Sequence, residues 1–259
     1  MTAQVPVAVR ARDVLTSEWT KLRSVRSTYW TVLVAVVTPI GLSALVAVTL
    51  ANAPGRSSPV DPLLPGVLSQ EYAVLAVGVL GVLAFSTEYS TGLIRTTFAA
   101  VPRRRAVLAA KAAVLGALTL VVGELVAFAS FALVQAVLSG KHLSVSLSQP
   151  GVPGAVLASG LLLFVVATMG LGLGAIIRHT AGGIAALIGL IVLPVILALL
   201  PAPWGNRIAR FTLFDAVRQV TALHPATNLF APAASLLVLL AWPALTLLAA
   251  AVVITRRDA

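Results

Sequence analysis

The chain has 259 residues, of which 59% are hydrophobic and only 10% charged, and its formal charge is +10. Soluble domains carry roughly 25% charged residues, so this chain has too little polar surface to cover a water-soluble fold, and lipid is the expected solvent for most of it. The absence of cysteine removes disulfide staples, thiolate metal sites and a thiol nucleophile.

In chain order, residues 1–27 form a polar leader ahead of the first apolar run. Within it, Ala11–Arg26 reads as a basic amphipathic helix in the headgroup plane. Ala11, Val14, Leu15, Trp19, Leu22 and Val25 share one arc at about 100° per residue, with Asp13, Ser17, Thr20 and Ser24 opposite. Glu18 breaks the pattern, because it projects into the middle of the apolar arc. A carboxylate there either snorkels to water or pairs with another segment. The nearest expected cations are Arg95 and the Arg103–Arg105 run.

Six apolar runs are long enough to cross a bilayer, which takes about 20 residues. They are 28–50, 67–85, 107–138, 152–177, 183–200 and 233–254, with a tail at 255–259. The third is long enough to tilt or to extend into water. Ala51-Asn52-Ala53 looks like a signal-peptidase site, but the run before it is too long for a signal-peptide core, so a retained first span is expected. With the N-terminus inside, thirteen of the 18 Lys and Arg fall on cytoplasmic segments. Both termini are therefore expected inside. Arg207, Arg210 and Arg218 in one outer loop dissent. The basic charge reads as a topology signal, which argues against nucleic acid and leaves membrane lipid as the partner of the basic segments.

Between the second and third runs lies Ser86–Lys111, too long to be a simple connection. It has a short amphipathic turn, a break at Pro102 and the basic cluster Arg103-Arg104-Arg105. On composition alone it reads equally as a headgroup-binding loop. Glu124 lies midway along the third run, where an ionisable group is a functional candidate. No cation lies in the core of a predicted span, so a neutral carboxyl, or one hydrogen-bonded to Thr168 or Ser159, is expected. A packing clamp and a transport role both stand open. Gly170-x-x-x-Gly174 in the fourth run and Ala181, Ala185 and Gly189 in the fifth permit close helix approach, within one subunit or across a dimer. The outer segment 201–232 holds a possible helix at 206–223, with Asp215 three residues before Arg218 and basic side chains placed to meet lipid phosphates or an anionic substrate. His142, His179 and His224 fall in three separate loops and cannot form one metal site. No H-E-x-x-H or G-x-S-x-G motif occurs.

Two stretches carry a family resemblance. Ser17-Glu18-Trp19-Thr20-Lys21-Leu22-Arg23-Ser24 precedes the first span. Glu88-Tyr89-Ser90-Thr91-Gly92-Leu93-Ile94-Arg95, followed by Val101-Pro102-Arg103-Arg104-Arg105, follows the second. Both resemble motifs of ABC-2-type transporter permeases, the membrane subunits of bacterial ATP-binding cassette exporters, and the six-span layout agrees over nearly the whole chain.

The resemblance implies an all-α integral membrane protein of the bacterial cytoplasmic membrane, with an interfacial helix (Glu18, Trp19, Lys21, Arg23) and a cytoplasmic coupling helix. The coupling segment then includes Glu88, Tyr89, Ser90, Thr91, Gly92, Leu93 and Arg95. It also implies a re-entrant or gating element in the last outer segment. Two permease copies, expected identical, form the substrate path above two separate ATPase subunits. The chain has no G-x-x-x-x-G-K-[ST], so ATP and Mg belong to the partner ATPase and no cofactor or catalytic residue is expected here. A secondary transporter or channel remains the alternative, although no repeat and only one mid-span carboxylate support it. An intramembrane hydrolase lacks a catalytic pair.

Overall fold

The computed structural model describes residues 10–52, 61–141, 143–223 and 225–256. His142, His224, Ala53, the first nine residues of the leader and residues 257–259 of the tail lie outside that set. Among the described residues the chain is all-helical, with ten helices and no strand.

Six helices are long and apolar enough to cross a membrane, which makes this a multi-pass membrane protein. They are α2 (Arg26–Ala51), α3 (Leu64–Ser90), α5 (Arg104–Ser139), α6 (Val152–Ile177), α7 (Thr180–Leu197) and α10 (Pro232–Arg256). Four short helices join them: α1 (Ala11–Ser24), α4 (Leu93–Ala100), α8 (Trp204–Ala209) and α9 (Leu213–Thr221). The fourth span has the expected bounds and the others shift by a few residues. The largest shift is in α3, which runs to Ser90 and so carries Glu88 and Tyr89 on its last turn. With 36 residues, α5 is about 54 Å long at 1.5 Å per residue, well beyond a hydrocarbon core of about 30 Å. Its surplus lies in the first two turns, which bear Arg104, Arg105 and Lys111.

The most buried span is α6, packed against α3, α5, α7 and α10. Its small residues make this possible. At Gly170 a Cβ would run into the carbonyl oxygen of Gly78, and at Gly81 one would run into that of Ala167. The Gly170-x-x-x-Gly174 face therefore seats α6 on α3 within one subunit, where Gly174 abuts Val82. By contrast, Ala181, Ala185 and Gly189 lie along an exposed stripe of α7. Apolar side chains outside the core, such as Leu193 and Leu237, are consistent with a lipid surround.

The helix ends collect into two groups. At one end lie α1, α4, the start of α5 and the end of α10, where Arg104 donates to the Ile254 carbonyl at 3.2 Å. Ser86 and Thr180, hydrogen-bonded at 3.0 Å, bring α3 and α7 to the same end. At the other end lie α8 and α9. A single helix at 206–223 was expected; instead the chain breaks at Arg210–Thr212 and restarts. Thr212 caps α9, accepting from the Asp215 amide at 3.1 Å and donating to its carboxylate at 2.8 Å. Thr-Leu-Phe-Asp has the spacing of a capping box, with aspartate in the acidic position.

Candidate functional site

The leader helix α1 stops at Val25, whose backbone is extended, and α2 begins one residue later. This bend folds α1 back against α5. The apolar arc read from the sequence then divides. Val14 faces the protein, whereas Leu15 and Trp19 remain about 40% exposed, and Arg23 lies over the Trp19 ring at 6.0 Å. Glu18 faces inward beside Val14 and is only 5% exposed.

Four charges from three helices meet there. Lys111 of α5 donates to Glu18 Oε2 at 2.6 Å and to Glu88 Oε1 at 2.7 Å. Lys21 of α1 donates to Glu18 Oε1 at 2.8 Å and to Glu88 Oε1 at 2.9 Å. A longer contact of 3.5 Å carries Lys21 to the Thr97 hydroxyl of α4. Glu18, Glu88 and Lys111 are all buried, and the Lys111 ammonium also sits 5.7 Å from the Phe85 ring centre. Burial pulls the Lys21 ammonium down, but its hydrogen bonds to Glu18 and Glu88 outweigh this and hold it above its ordinary value. Two carboxylates and two ammoniums leave the cluster neutral, which makes so much buried charge tolerable.

The expected partners of Glu18 are thereby corrected. Arg95 points outward from α4, Arg103 and Arg105 are exposed, and Arg104 reaches the end of α10. Glu18 instead lies at the depth of Lys111, seven residues into α5. The signal was in the sequence: Lys111 interrupts an apolar run as Glu18 interrupts an apolar arc, and two misplaced charges of opposite sign are candidates for each other.

The segment after α3 turns sharply. Thr91 caps α3, and Gly92 follows with φ 74° in the left-handed region, where glycine is favoured. The short helix is Leu93–Ala100, so Glu88, Tyr89 and Ser90 belong to the end of the span and not to this helix. Its inner face, Ile94 and Phe98, is buried in the core with Phe85 and Ile254. Its outer side shows Leu93, 52% exposed, together with Arg95 and Thr96. Tyr89 is held between Phe85, with ring centres 5.8 Å apart, and Arg178, 4.8 Å from its ring centre.

Glu124 does not reach either expected hydroxyl. Ser159 donates to the Val156 carbonyl and accepts from Gln70, and Thr168 donates to the Phe164 carbonyl. The Glu124 side chain lies over Gly160, and its Oε2 is buried without a hydrogen-bond partner among the described residues. At the opposite end, Arg218 of α9 grips Glu71 of α3 through two hydrogen bonds of 2.6 and 2.7 Å. Arg218 thus meets a carboxylate in place of lipid phosphate or an anionic substrate. Glu71 sits one turn inside the apolar run 67–85, where a single charge near the end of a span draws no notice until its partner is seen. Arg210 donates to the Asn228 carbonyl at 2.9 Å. His179 caps α7, and the described residues hold no cluster able to bind a metal.

Fold and site together define a multi-pass helical membrane protein with a charged joint between a leader helix, two spans and a short connecting helix. No protein-family model matches the chain, and no curated protein matches it.

Proposed function

We propose that this chain is the permease subunit of an ABC exporter and that its charged joint couples a separate cytoplasmic ATPase to the spans. One observation carries the reading. The two stretches that resemble ABC-2-type permeases are far apart in the chain, yet they meet where Lys21 donates to Glu88, 67 residues away, beside Glu18. An ATPase in water can push only on aqueous surface. The exposed side of α4 offers such a surface, and the buried side of the same helix is continuous with the core of the spans.

On this reading the α4 end and both termini face the cytoplasm, and the protein resides in the bacterial cytoplasmic membrane. α1 is the interfacial helix and α4 the coupling helix. Two identical copies form the substrate path, supported by the exposed small-residue stripe of α7, and two ATPase subunits bind ATP and Mg beneath them. The chain itself catalyses nothing. The alternative, a transporter or channel that does not use ATP, draws its support from the unpartnered oxygen of Glu124.

ATP hydrolysis by a co-expressed P-loop ATPase, with and without this chain, separates the two. Stimulation by the chain is expected. Gly92→Trp, which adds bulk at the docking face, is expected to abolish stimulation while the protein stays in the membrane. Gly92→Asn, which tolerates a left-handed backbone, is expected to retain most of it. Stimulation unchanged in Gly92→Trp would rule out α4 as the docking point.

A further inference from the structure

Beside the charged joint lies a cavity of about 430 Å³, bounded by α1, the start of α2, α3 and α5. Sites for small molecules run roughly 300–1,000 Å³ and are mostly apolar with a few polar groups at one place. This cavity has that layout. One wall is Leu22, Val25, Leu80, Leu83, Val114 and Leu115, and another is the joint with its neighbouring hydroxyls.

The hydrogen-bonding state of the polar wall restricts what fits. Thr87 and Thr91 spend their hydroxyl protons on the carbonyls of Leu83 and Thr87, each at 2.7 Å, and Ser24 donates to the Lys21 carbonyl at 2.8 Å. Lys21 places its protons on Glu18, Glu88 and Thr97, and Lys111 engages both carboxylates. Glu88 receives both lysines on Oε1, so its Oε2 is buried without a partner among the described residues. The Thr87 and Thr91 hydroxyls therefore offer lone pairs, Ser27 and Thr28, which also line the cavity, keep hydroxyl protons with no acceptor among the described residues, and Glu88 Oε2 is closed off from it. An anionic head would lie against the carboxylates of Glu18 and Glu88 unless it broke the Lys–Glu pairs, and removing one partner from a buried pair is costly. A cationic head would add net charge to a neutral buried cluster, which is also unfavourable. A neutral head with several hydroxyls meets neither obstacle.

We infer that this cavity binds a membrane lipid with a neutral, hydroxyl-bearing head, the head at the Ser27, Thr28, Thr87 and Thr91 hydroxyls and the chain along Leu80, Leu83 and Val114. The lipid enters from the leaflet at the α4 end, where α1 bends away from α2 at Val25. The inference rests on the cavity and its polar wall and is independent of the exporter reading.

The test is native mass spectrometry of the purified full chain with 1-oleoylglycerol, oleate or oleylamine at equal concentration. Occupancy by 1-oleoylglycerol is expected to exceed that by either charged analogue by about tenfold. Val114→Trp and Leu83→Trp fill the apolar wall without touching the joint. Each is expected to lower 1-oleoylglycerol occupancy by about tenfold, and whichever variant remains monodisperse serves. Thr87→Val, which removes a hydroxyl from the polar wall, is expected to lower it less. Equal binding of all three amphiphiles, or wild-type binding in a monodisperse cavity-filling variant, overturns the assignment. Because the readout is lipid occupancy, a failure here leaves the ATPase result standing, and the converse holds.

Discussion

The two ends of the bundle solve the same problem differently. At the α4 end four charges from α1, α3 and α5 interlock, three of them almost fully buried, and each carboxylate serves two lysines. At the α9 end a single arginine clamps Glu71, and its side chain is 43% exposed. A buried network cannot lose one member without stranding the others, whereas an arginine at the rim can be re-solvated when its partner leaves. The α4 end is therefore the stiffer of the two and the α9 end the more easily opened.

The largest expected effect follows from removing a central charge. Lys111→Met leaves Glu18 Oε2 without its partner and should destabilise the fold by about 3–5 kcal/mol, seen as a lowered unfolding temperature of the purified protein. Glu18→Gln combined with Lys111→Met should cost less than the two single changes added together. A Glu18–Lys111 charge swap, which would rescue an isolated pair, is expected to fail. It sets a lysine at 18 beside Lys21 and a glutamate at 111 beside Glu88. Rescue by the swap would mean that the four charges act as independent pairs.

Arg218→Ala should be milder, about 1.5–3 kcal/mol for the loss of charge-assisted hydrogen bonds, and should loosen α9 without disturbing α1. Proteolysis of the outer segment measures this, and equal loosening at both ends would erase the contrast. The smallest effect is a pH dependence. The Lys21 value is raised in the folded state, so its contribution is complete below about 10.5 and is lost as pH rises through the higher folded value. Fluorescence of Trp19, next to Glu18 in the chain, should report release of α1 in that alkaline range. Lys21→Met should lack the alkaline step because α1 is already weakened at neutral pH.

The spans were legible because hydropathy alone forces them, and the run at 152–177 needed no correction. α1 was legible as an amphipathic helix, but the arc gave no means of telling its lipid side, Leu15 and Trp19, from its protein side, Val14 and Glu18. That division depends on the bend at Val25 and on α5 as neighbour. Lys111 and Glu71 were hidden for one shared reason. A charge near the end of an apolar run reads as snorkelling until a partner from a distant helix is seen beside it. The break before α9 was readable in the capping sequence at Thr212, and the apolar positions around it suggested a longer helix than the cap allows.

On the proposed reading, the leader and the segment after α3 move as one unit with the spans. Stimulated ATP hydrolysis across the double-mutant cycle of Glu18→Gln and Lys111→Met, with the co-expressed ATPase and equal amounts of assembled complex, tests it most directly. Each single change is expected to lower stimulation, and the double change to lower it no further than the worse single one. Stimulation at the wild-type level in all three variants would contradict it.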